Sequence, residues 1–460
     1  MKTIHNKQYI DRNELLAVLS EALDRVEIDV FGVTEHHAKR VAWLCVQMGR
    51  VLEMSDEELS DLATAALLHD SALIEYKNDY ENGFLRKDAD GRKHCIAGDE
   101  NLKLIPGYHK LRGYVLYHHE CADGSGTFGK TEDETPLGAQ LIHIADEIDL
   151  KFTLGVNEND TKTDLDEKLA KIHAYVKKQQ GRLFGKIASD TFLKILSKEQ
   201  LILTQSTTIE NLKNSLLPMQ ISFMDNSTDM IHLAELFARI IDYKSPFTKD
   251  HSIGIAQKAE IMADHYDFTP EKTEKLYMAG ALHDIGKLLV DIEVLEKPGK
   301  LDENEYRHIQ SHAYETYRLL SKIDGFEEIR DWASYHHEKL NGKGYPFGIT
   351  ADDMTFEMRL LACLDIYQAL TEDRPYKAGM HHKKAISILF ELAEKGELDA
   401  NIIKDIDSVF LDDNDASNVI EKTALFQCPV CGHIYEGDVV PTGYQCPVCG
   451  QPEHKFYRIQ

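Results

Sequence analysis

Histidines recur at matched spacings in the two halves of this 460-residue chain. His37 and His69 are 32 residues apart in the first half, as are His251 and His283 in the second. A pair of adjacent histidines also occurs twice, in the segments YHHECADGSGTFG and YHHEKLNGKGYPFG. A repeated spacing of this kind indicates one structural unit present in two copies. We therefore expect two related domains.

The segments that carry these histidines have apolar residues three and four positions apart, as in LLAVLSEALDRV and IHLAELFARIIDY. This period is typical of amphipathic helices, whereas strand-like alternation is almost confined to roughly the last 40 residues. The sequence predicts an all-α protein of two tandem helical bundles with a small C-terminal module. We place the bundles at residues 1–205 and 206–415 and the module at 422–460.

The formal net charge of −26 argues against a DNA- or RNA-binding surface, because phosphate contacts need Lys and Arg. The N-terminus has no secretory signal pattern, and no segment approaches the roughly 20 apolar residues that span a bilayer. We therefore expect a cytoplasmic protein without membrane contact.

The second copy contains a set of residue types that bind transition metals. The set is His251, His283, Asp284, His312, His336, His337 and Asp365. Five imidazoles and two carboxylates are more than one divalent ion needs, whereas two ions that share a carboxylate need about this many. Asp284 suits the bridging position. Two ions roughly 3.5–4 Å apart can promote in-line phosphoryl displacement.

Signature motifs then follow in order across about residues 228–405. They are HDIGK at His283, GYP at Gly344–Tyr345–Pro346, and LDIYQALTEDRPYK from Leu364. This half resembles the HD-GYP family of the HD superfamily, whose members are metal-dependent phosphodiesterases of cyclic di-GMP and some related cyclic dinucleotides.

The resemblance implies a binuclear site, with two iron or manganese ions, that hydrolyses cyclic di-GMP to linear pGpG or to GMP. His251, His283, Asp284 and Asp365 would bind one ion, and Asp284 would bridge to a second ion bound by His312, His336 and His337. Asp284 and Lys287 are the implied catalytic residues. The implied substrate contacts are Lys287, Tyr345, Pro346, Arg374 and Lys377.

The first copy keeps a counterpart of each metal ligand but not of the basic residues. Its candidate ligands are His37, His69, Asp70, His94, His118, His119 and Asp146. Leu73 occupies the position of Lys287, and Thr127–Phe128 replaces the Tyr-Pro-Phe segment. We expect a degenerate domain that retains a metal centre but does not hydrolyse cyclic dinucleotides.

Four of the eight cysteines form two Cys-x-x-Cys pairs near the C-terminus, at Cys428, Cys431, Cys446 and Cys449. Four thiolates on two tight turns suit a single iron or zinc ion. The flanking residues, CGHIYEG and CPVCG, resemble the rubredoxin module of rubrerythrins, which implies electron transfer and redox control of activity. We regard the other four cysteines, Cys45, Cys95, Cys121 and Cys363, as scattered.

Two other functions compete with the phosphodiesterase. A di-iron redox enzyme or oxygenase fed electrons by the rubredoxin-like module would explain the C-terminal cysteines, but it leaves Lys287 and the Tyr-Pro pair without a role. A non-catalytic cyclic dinucleotide receptor is disfavoured because the second copy keeps its catalytic groups. The sequence leaves open a homodimer and an electron-donor partner.

Overall fold

The computed structural model of the protein describes most of the chain. The described residues are 9–31, 35–73, 75–76, 80–81, 84–85, 91–105, 107, 111–154, 162–205, 212, 216, 220–222, 227–244, 250–297, 299–373, 378–411, 425–427, 434–436, 445 and 457–458. Helices dominate these residues, which confirms the predicted all-α class.

The first half contains eight described α-helices and three short strands. One of these strands pairs with a strand of the second half. The helices are Arg12–Phe31 (α1), His37–Val51 (α2), Asp56–Leu67 (α3), Arg92–Leu102 (α4), Leu137–Phe152 (α5), Lys162–Gln179 (α6), Lys186–Ile195 (α7) and Lys198–Gln205 (α8). The strands are Tyr9–Asp11 (β1), Tyr80–Glu81 (β2) and Phe84–Leu85 (β3), and β2 pairs antiparallel with β3.

The second half begins with strand Gln220–Ser222 (β4) and continues as helices. These are Ser227–Tyr243 (α9), His251–His265 (α10), Pro270–Leu282 (α11), Ile292–Leu295 (α12), Glu303–Leu320 (α13), Glu327–Ser334 (α14), Phe356–Thr371 (α15), His382–Glu394 (α16) and Ala400–Val409 (α17). A 3₁₀ helix, Ile285–Leu289, directly follows the His-Asp pair.

Some of the helices begin at residues whose side chains satisfy free amide groups. Ser55 and Glu58 form a reciprocal capping box at the start of α3, and Asp302 and Glu305 do the same at α13. Thr269 caps α11, where Pro270 occupies the first turn. Such caps satisfy amides that have no partner within the helix.

Corresponding helices of the two halves pack in the same way. In the first half α2 packs against α3 and α5, and in the second α10 packs against α11 and α15. Buried apolar side chains, among them Phe237 and Leu282, fill the space between the helices of the second half. The repeat inferred from histidine spacing is therefore also a repeat of helix packing.

Helix α1 joins the two halves, which together lie within one compact unit, Met1–Asp407. It packs on the 3₁₀ helix Ile285–Leu289 and on α13 of the second half. Glu21 accepts hydrogen bonds from Arg318 at 3.0 Å and Lys322 at 2.6 Å. Strand β1 also pairs antiparallel with β4, with Ile10 opposite Ile221.

The second compact unit, Ser408–Gln460, contains a three-stranded antiparallel sheet. Its strands are Leu425–Gln427 (β5), Ile434–Glu436 (β6) and Tyr457–Arg458 (β7), and β5 lies between the other two. Among the described helices, none combines the length and apolar character that a bilayer crossing requires.

The contact between α1 and α13 gives a prediction for stability. Burial raises the pKa of Glu21, but hydrogen bonds from Lys322 and Arg318 outweigh burial and bring the pKa below its ordinary 4.5. Glu21→Ala should lower the free energy of unfolding by about 0.5–1 kcal/mol at pH 7 in urea titrations, since the partners are partly exposed. Because the folded-state pKa is depressed, this difference should shrink as the pH falls below about 4.5.

The matched control is Glu315→Ala, which removes a carboxylate that contacts Arg318 within α13 itself. An equal loss of stability in both variants would contradict a specific role for the contact between the halves.

Candidate metal centres

The helices of the second half bring all seven predicted ligands to one place. His251 is the first residue of α10, and His283 and Asp284 follow the end of α11. His312 lies in α13, Asp365 lies in α15, and the pair at residues 336–337 follows α14. Three overlapping groups have their ligand atoms within 4.8 Å of one another: His251–His283–Asp365, His283–Asp284–His336 and His312–His336–His337.

Asp284 lies between these groups. Its Oδ2 is 3.0 Å from Nε2 of His283, and its Oδ1 is 3.4 Å from Nε2 of His312 and 3.8 Å from Nε2 of His336. Its carboxylate is buried, with 2% of the side chain exposed. One carboxylate thus faces imidazoles from different helices, an arrangement that suits a bridge between two ions.

Backbone carbonyls orient three of the histidines. Nδ1 of His283, His312 and His336 lies 2.8, 2.6 and 2.6 Å from the carbonyl oxygen of the residue three positions earlier. A donated Nδ1–H at these distances leaves Nε2 as the lone-pair nitrogen that faces the carboxylates. Metal-binding histidines usually have such a partner, because it fixes the tautomer and the ring.

His251 is oriented by a carboxylate that the sequence analysis did not single out. Its Nδ1 is 2.8 Å from Oε2 of Glu372, and its Nε2 is 3.2 Å from Oδ1 of Asp365. Gln368 donates to the same Glu372 oxygen at 3.2 Å. Glu372 therefore acts as a positioning residue for His251, as in a carboxylate–histidine–metal relay.

Burial and charge set the protonation states of the site. Burial lowers the pKa of His312 to about 3, so this imidazole is neutral, the form that binds a metal. For Asp284, burial raises the pKa, but the neighbouring His283 and the Lys287 ammonium outweigh burial and bring the pKa well below the ordinary range. Asp284 is therefore ionised in the fold.

Lys287 and Tyr345 lie at the edge of this cluster. The ammonium of Lys287 contacts the Asp284 carboxylate, and 22% of its side chain is exposed. The ring centroid of Tyr345 is 4.8 Å from that of His337. Pro346 follows in the same loop, whereas Arg374 and Lys377 lie outside the described residues.

Buried Glu338 supports the loop that carries Tyr345. Its Oε1 accepts hydrogen bonds from the amides of Phe347 at 2.7 Å and Gly348 at 3.0 Å. At Gly344 a Cβ would lie 2.5 Å from backbone atoms of Glu338 and Lys339, so only glycine fits there.

The first half assembles its seven candidate ligands in a similar way. Nε2 of His37 is 3.2 Å from Oδ1 of Asp146, and Nε2 of His69 is 3.3 Å from Oδ2 of Asp70. Nε2 of His118 is 3.8 Å from Oδ1 of Asp70, as His336 is from Asp284. Two close groups result: His37–His69–Asp70, and His94–Cys95–His118–His119.

The supporting residues of the first site differ from those of the second. Nδ1 of His37 is 2.6 Å from Oδ2 of Asp149, and Arg40 binds the two oxygens of Asp149 at 2.7 and 2.8 Å. Leu73, at the position of Lys287, is buried with 1% exposure. Glu120 keeps the role of Glu338, since it accepts from the amides of residues 128 and 130.

Both donor sets fit divalent metal ions. Buried Oδ1 atoms of Asp284 and Asp70, and Nε2 atoms of His283 and His69, have no hydrogen-bond partner of acceptable geometry. Buried polar atoms are normally satisfied, and several unsatisfied ones that converge on one point are expected where a cation binds.

The structure adds four residues to the sequence-based set: Glu372, Asp149, Arg40 and Cys95. Asp149 follows Asp146 by three positions and Glu372 follows Asp365 by seven, so helical spacing was an available signal for both. Cys95, counted above as a scattered cysteine, lies within the group of His94, His118 and His119. The four C-terminal cysteines lie outside the described residues.

Comparison with known protein families identifies three domains. The HD domain family matches residues 34–151 and again residues 235–402. The rubredoxin-like domain of rubrerythrins matches residues 426–457.

Two curated relatives match most of the chain. The 3'3'-cGAMP-specific phosphodiesterase 1 of Vibrio cholerae is 28% identical over 87% of this chain and 92% of its own length. The 3'3'-cGAMP-specific phosphodiesterase 3 of the same organism is 26% identical over 82% of this chain and 90% of its own length. A cyclic di-GMP phosphodiesterase of Pseudomonas aeruginosa is 33% identical over 32% of this chain and 35% of its own length.

A solved structure has the same fold over most of the chain. The crystal structure of the cyclic GMP-AMP specific phosphodiesterase V-cGAP3 of V. cholerae matches with a TM-score of 0.58 and 22% identity, covering 88% of this chain and 98% of that one. The motifs, the repeated domain and these likenesses agree: the chain contains two HD domains in tandem and a rubredoxin-like domain of the rubrerythrin type, and it is similar to metal-dependent cyclic dinucleotide phosphodiesterases.

Proposed function

We propose that the second HD domain, within residues 206–415, hydrolyses a cyclic dinucleotide at a binuclear metal centre. The observation that carries this proposal is the placement of buried Asp284 between two groups of imidazoles, with the Lys287 ammonium on the same carboxylate. The first HD domain, within residues 1–205, has Leu73 at the position of this cation. Hydrolysis is therefore assigned to the second domain alone.

Two cyclic dinucleotides are candidate substrates. The sequence motifs alone imply cyclic di-GMP. The two relatives that match more than 80% of the chain are named for 3'3'-cGAMP, whereas the cyclic di-GMP enzyme quoted above matches 32% of it. We therefore propose 3'3'-cGAMP as the first candidate substrate and cyclic di-GMP as the second.

The chain's own residues define where two ions would bind. His251, His283, Asp284 and Asp365 would bind one ion, and His312, His336 and His337 would bind the other, with Asp284 as the shared ligand. Such ions supply Lewis acidity at a phosphoryl oxygen and lower the pKa of water. The carbonyl and carboxylate partners of the histidines hold the Nε2 atoms in place for this purpose.

Hydrolysis adds one water across a phosphodiester bond. The water oxygen forms a bond to phosphorus, the bond from phosphorus to the ribose 3' oxygen breaks, and that oxygen gains a proton. Negative charge builds on the phosphoryl oxygens during this step. Lys287, which is partly exposed beside Asp284, is placed to neutralise that charge. One such step gives a linear dinucleotide, and a second gives mononucleotides.

Tyr345 and Pro346 would contact the nucleotide beside the ions. The Tyr345 ring lies against His337, and Phe347, two residues later, is exposed. Arg374 and Lys377 are proposed phosphate contacts on the basis of the sequence motif.

The C-terminal four-cysteine module would bind one iron or zinc ion. Iron there would allow one-electron transfer and redox control of a di-iron site in the second domain, as the match to the rubrerythrin module suggests. Metal analysis of the native protein tests this assignment, and zinc in the module would contradict redox control.

Asp284→Asn tests the shared ligand. The variant should lose more than about 1,000-fold in turnover of the cyclic dinucleotide and lose metal, because both ions depend on this carboxylate. Asp70→Asn makes the same change in the first domain and should leave turnover within about twofold. Full activity in Asp284→Asn, or equal losses in both variants, would contradict the assignment.

Lys287→Ala separates charge stabilisation from metal binding. Since Lys287 is not a ligand, the metal content should stay unchanged while kcat falls by about 100- to 1,000-fold. Lys297→Ala, which removes an exposed cation paired with Glu305, serves as the control and should retain kcat. Loss of metal from Lys287→Ala would show that the residue supports the centre rather than the reaction.

Glu338→Ala should raise KM by roughly tenfold with a smaller change in kcat, because it frees the loop that positions Tyr345. Glu120→Ala removes the equivalent support in the first domain and should change neither constant. Steady-state kinetics of the two variants measures the difference, and an unchanged KM in Glu338→Ala would refute the role of the loop.

A further inference from the structure

Cys95 lies inside the first metal centre. Its Sγ is 3.4 Å from Nε2 of His94, and one ligand atom each from His94, Cys95, His118 and His119 lie within 4.8 Å of one another. Cys95 is fully buried in α4. Within the described residues, this is the group in which four donors meet, whereas the other groups contain three.

The second domain has no thiol at the corresponding position. His94 corresponds to His312, so Cys95 corresponds to Ala313, which is also buried. The group formed there by His312, His336 and His337 thus contains three imidazoles. The further ligand proposed for that ion is the shared carboxylate of Asp284, whereas in the first domain the thiol of Cys95 lies among the three imidazoles themselves. Three imidazoles and one thiolate are enough to close a tetrahedral site.

The distance between the Cys95 sulfur and the His94 nitrogen suits a four-coordinate ion. With metal–nitrogen bonds of about 2.0 Å and metal–sulfur bonds of about 2.3 Å, tetrahedral donors lie roughly 3.3–3.6 Å apart. The distance of 3.4 Å between Sγ of Cys95 and Nε2 of His94 is within this range. Nδ1 of His118 is 2.5 Å from the carbonyl oxygen of Val115, which directs its Nε2 into the centre.

We propose that Cys95 completes a closed cation site with His94, His118 and His119 in the first HD domain, and that this site binds zinc(II). On binding, the S–H bond of Cys95 breaks, a sulfur–metal bond forms, and the proton passes to solvent. Three imidazoles and one thiolate are a donor set that zinc accepts, and the thiolate favours it over magnesium or calcium.

The site has a structural role under this proposal. The thiolate of Cys95 would take a coordination position beside the three imidazoles, and Leu73 supplies no cation there. The ion would link α4, which carries His94 and Cys95, to the segment with His118 and His119 that precedes α5. The proposal is independent of hydrolysis in the second domain.

The alternative is a thiol that only packs in the fold. Sγ of Cys95 is 3.7 Å from the carbonyl oxygen of Gly91 in the preceding turn, a contact that a neutral thiol can make. The two possibilities differ in whether removal of the sulfur changes metal binding.

Cobalt(II) is the probe, because thiolate ligands give it strong near-ultraviolet absorption. The full-length protein is stripped of metal, reloaded with cobalt and compared with Cys95→Ala and Cys45→Ala. Each variant replaces a buried cysteine by the alanine that the second copy has at that position, Ala313 or Ala259. The C-terminal cysteines are present in all three proteins, so their absorption cancels in difference spectra.

We expect Cys95→Ala to lose thiolate–cobalt absorption and to bind one cobalt equivalent at least tenfold more weakly, since removing even an outer-shell partner costs about 10- to 100-fold. Cys45→Ala should match the parent. Identical absorption and affinity in Cys95→Ala and the parent would overturn the proposal.

Two more variants test the proposal if Cys95→Ala does not fold. Cys95→Ser keeps the size of the side chain and a donor for Gly91, and it should lose the same absorption. Ala313→Cys adds a thiol to the second centre and should gain absorption of the same kind. Unchanged spectra in both variants would also overturn the proposal.

Discussion

The buried carboxylate of Asp284 is the interaction on which the second domain depends. An ionised carboxylate with 2% exposure is costly unless positive or polar groups surround it. The ammonium of Lys287 contacts this carboxylate, and imidazoles from three segments lie 3.0 to 3.8 Å from it, where they could share a metal ion with it. Because those segments belong to α11, α13 and the turn after α14, the helices must pack closely for Asp284 to be satisfied. Asp70 in the first domain lies beside His69 and His118 in a similar way, but without a lysine next to it.

The contacts of α1 place the first domain next to the proposed reaction centre. Asp24 in α1 pairs with Lys39 near the start of α2, close to His37. One position later, Arg25 pairs with Asp291, two residues after the 3₁₀ helix that contains Lys287. Ion pairs on neighbouring residues of α1 therefore connect the start of α2 to the segment that follows Lys287.

Much of this could be predicted from sequence, because the ligands repeat at fixed spacing on amphipathic helices. The spacing of apolar residues predicted the helices near His251, His283 and Asp365, and the matched intervals predicted the corresponding residues of the first domain. Contacts across distant elements could not be predicted. Glu372 contacts His251 although the two are 121 residues apart in the sequence. Nothing in the sequence near β1 or β4 predicts that these strands pair. Cys95 was missed for a different reason: adjacent residues on a helix diverge by about 100°, so a cysteine after a ligand is expected to point elsewhere.

The central claim is hydrolysis of a cyclic dinucleotide by the second domain. The most direct measurement is turnover of 3'3'-cGAMP and cyclic di-GMP by anaerobically purified, iron-loaded protein, with chromatographic separation of the products and the His283→Ala variant alongside. The account predicts linear dinucleotide or mononucleotide from at least one substrate and none from the variant. Absence of cleavage from protein with iron confirmed in the second domain would contradict it, and oxygen consumption in the same samples would instead favour the di-iron redox function.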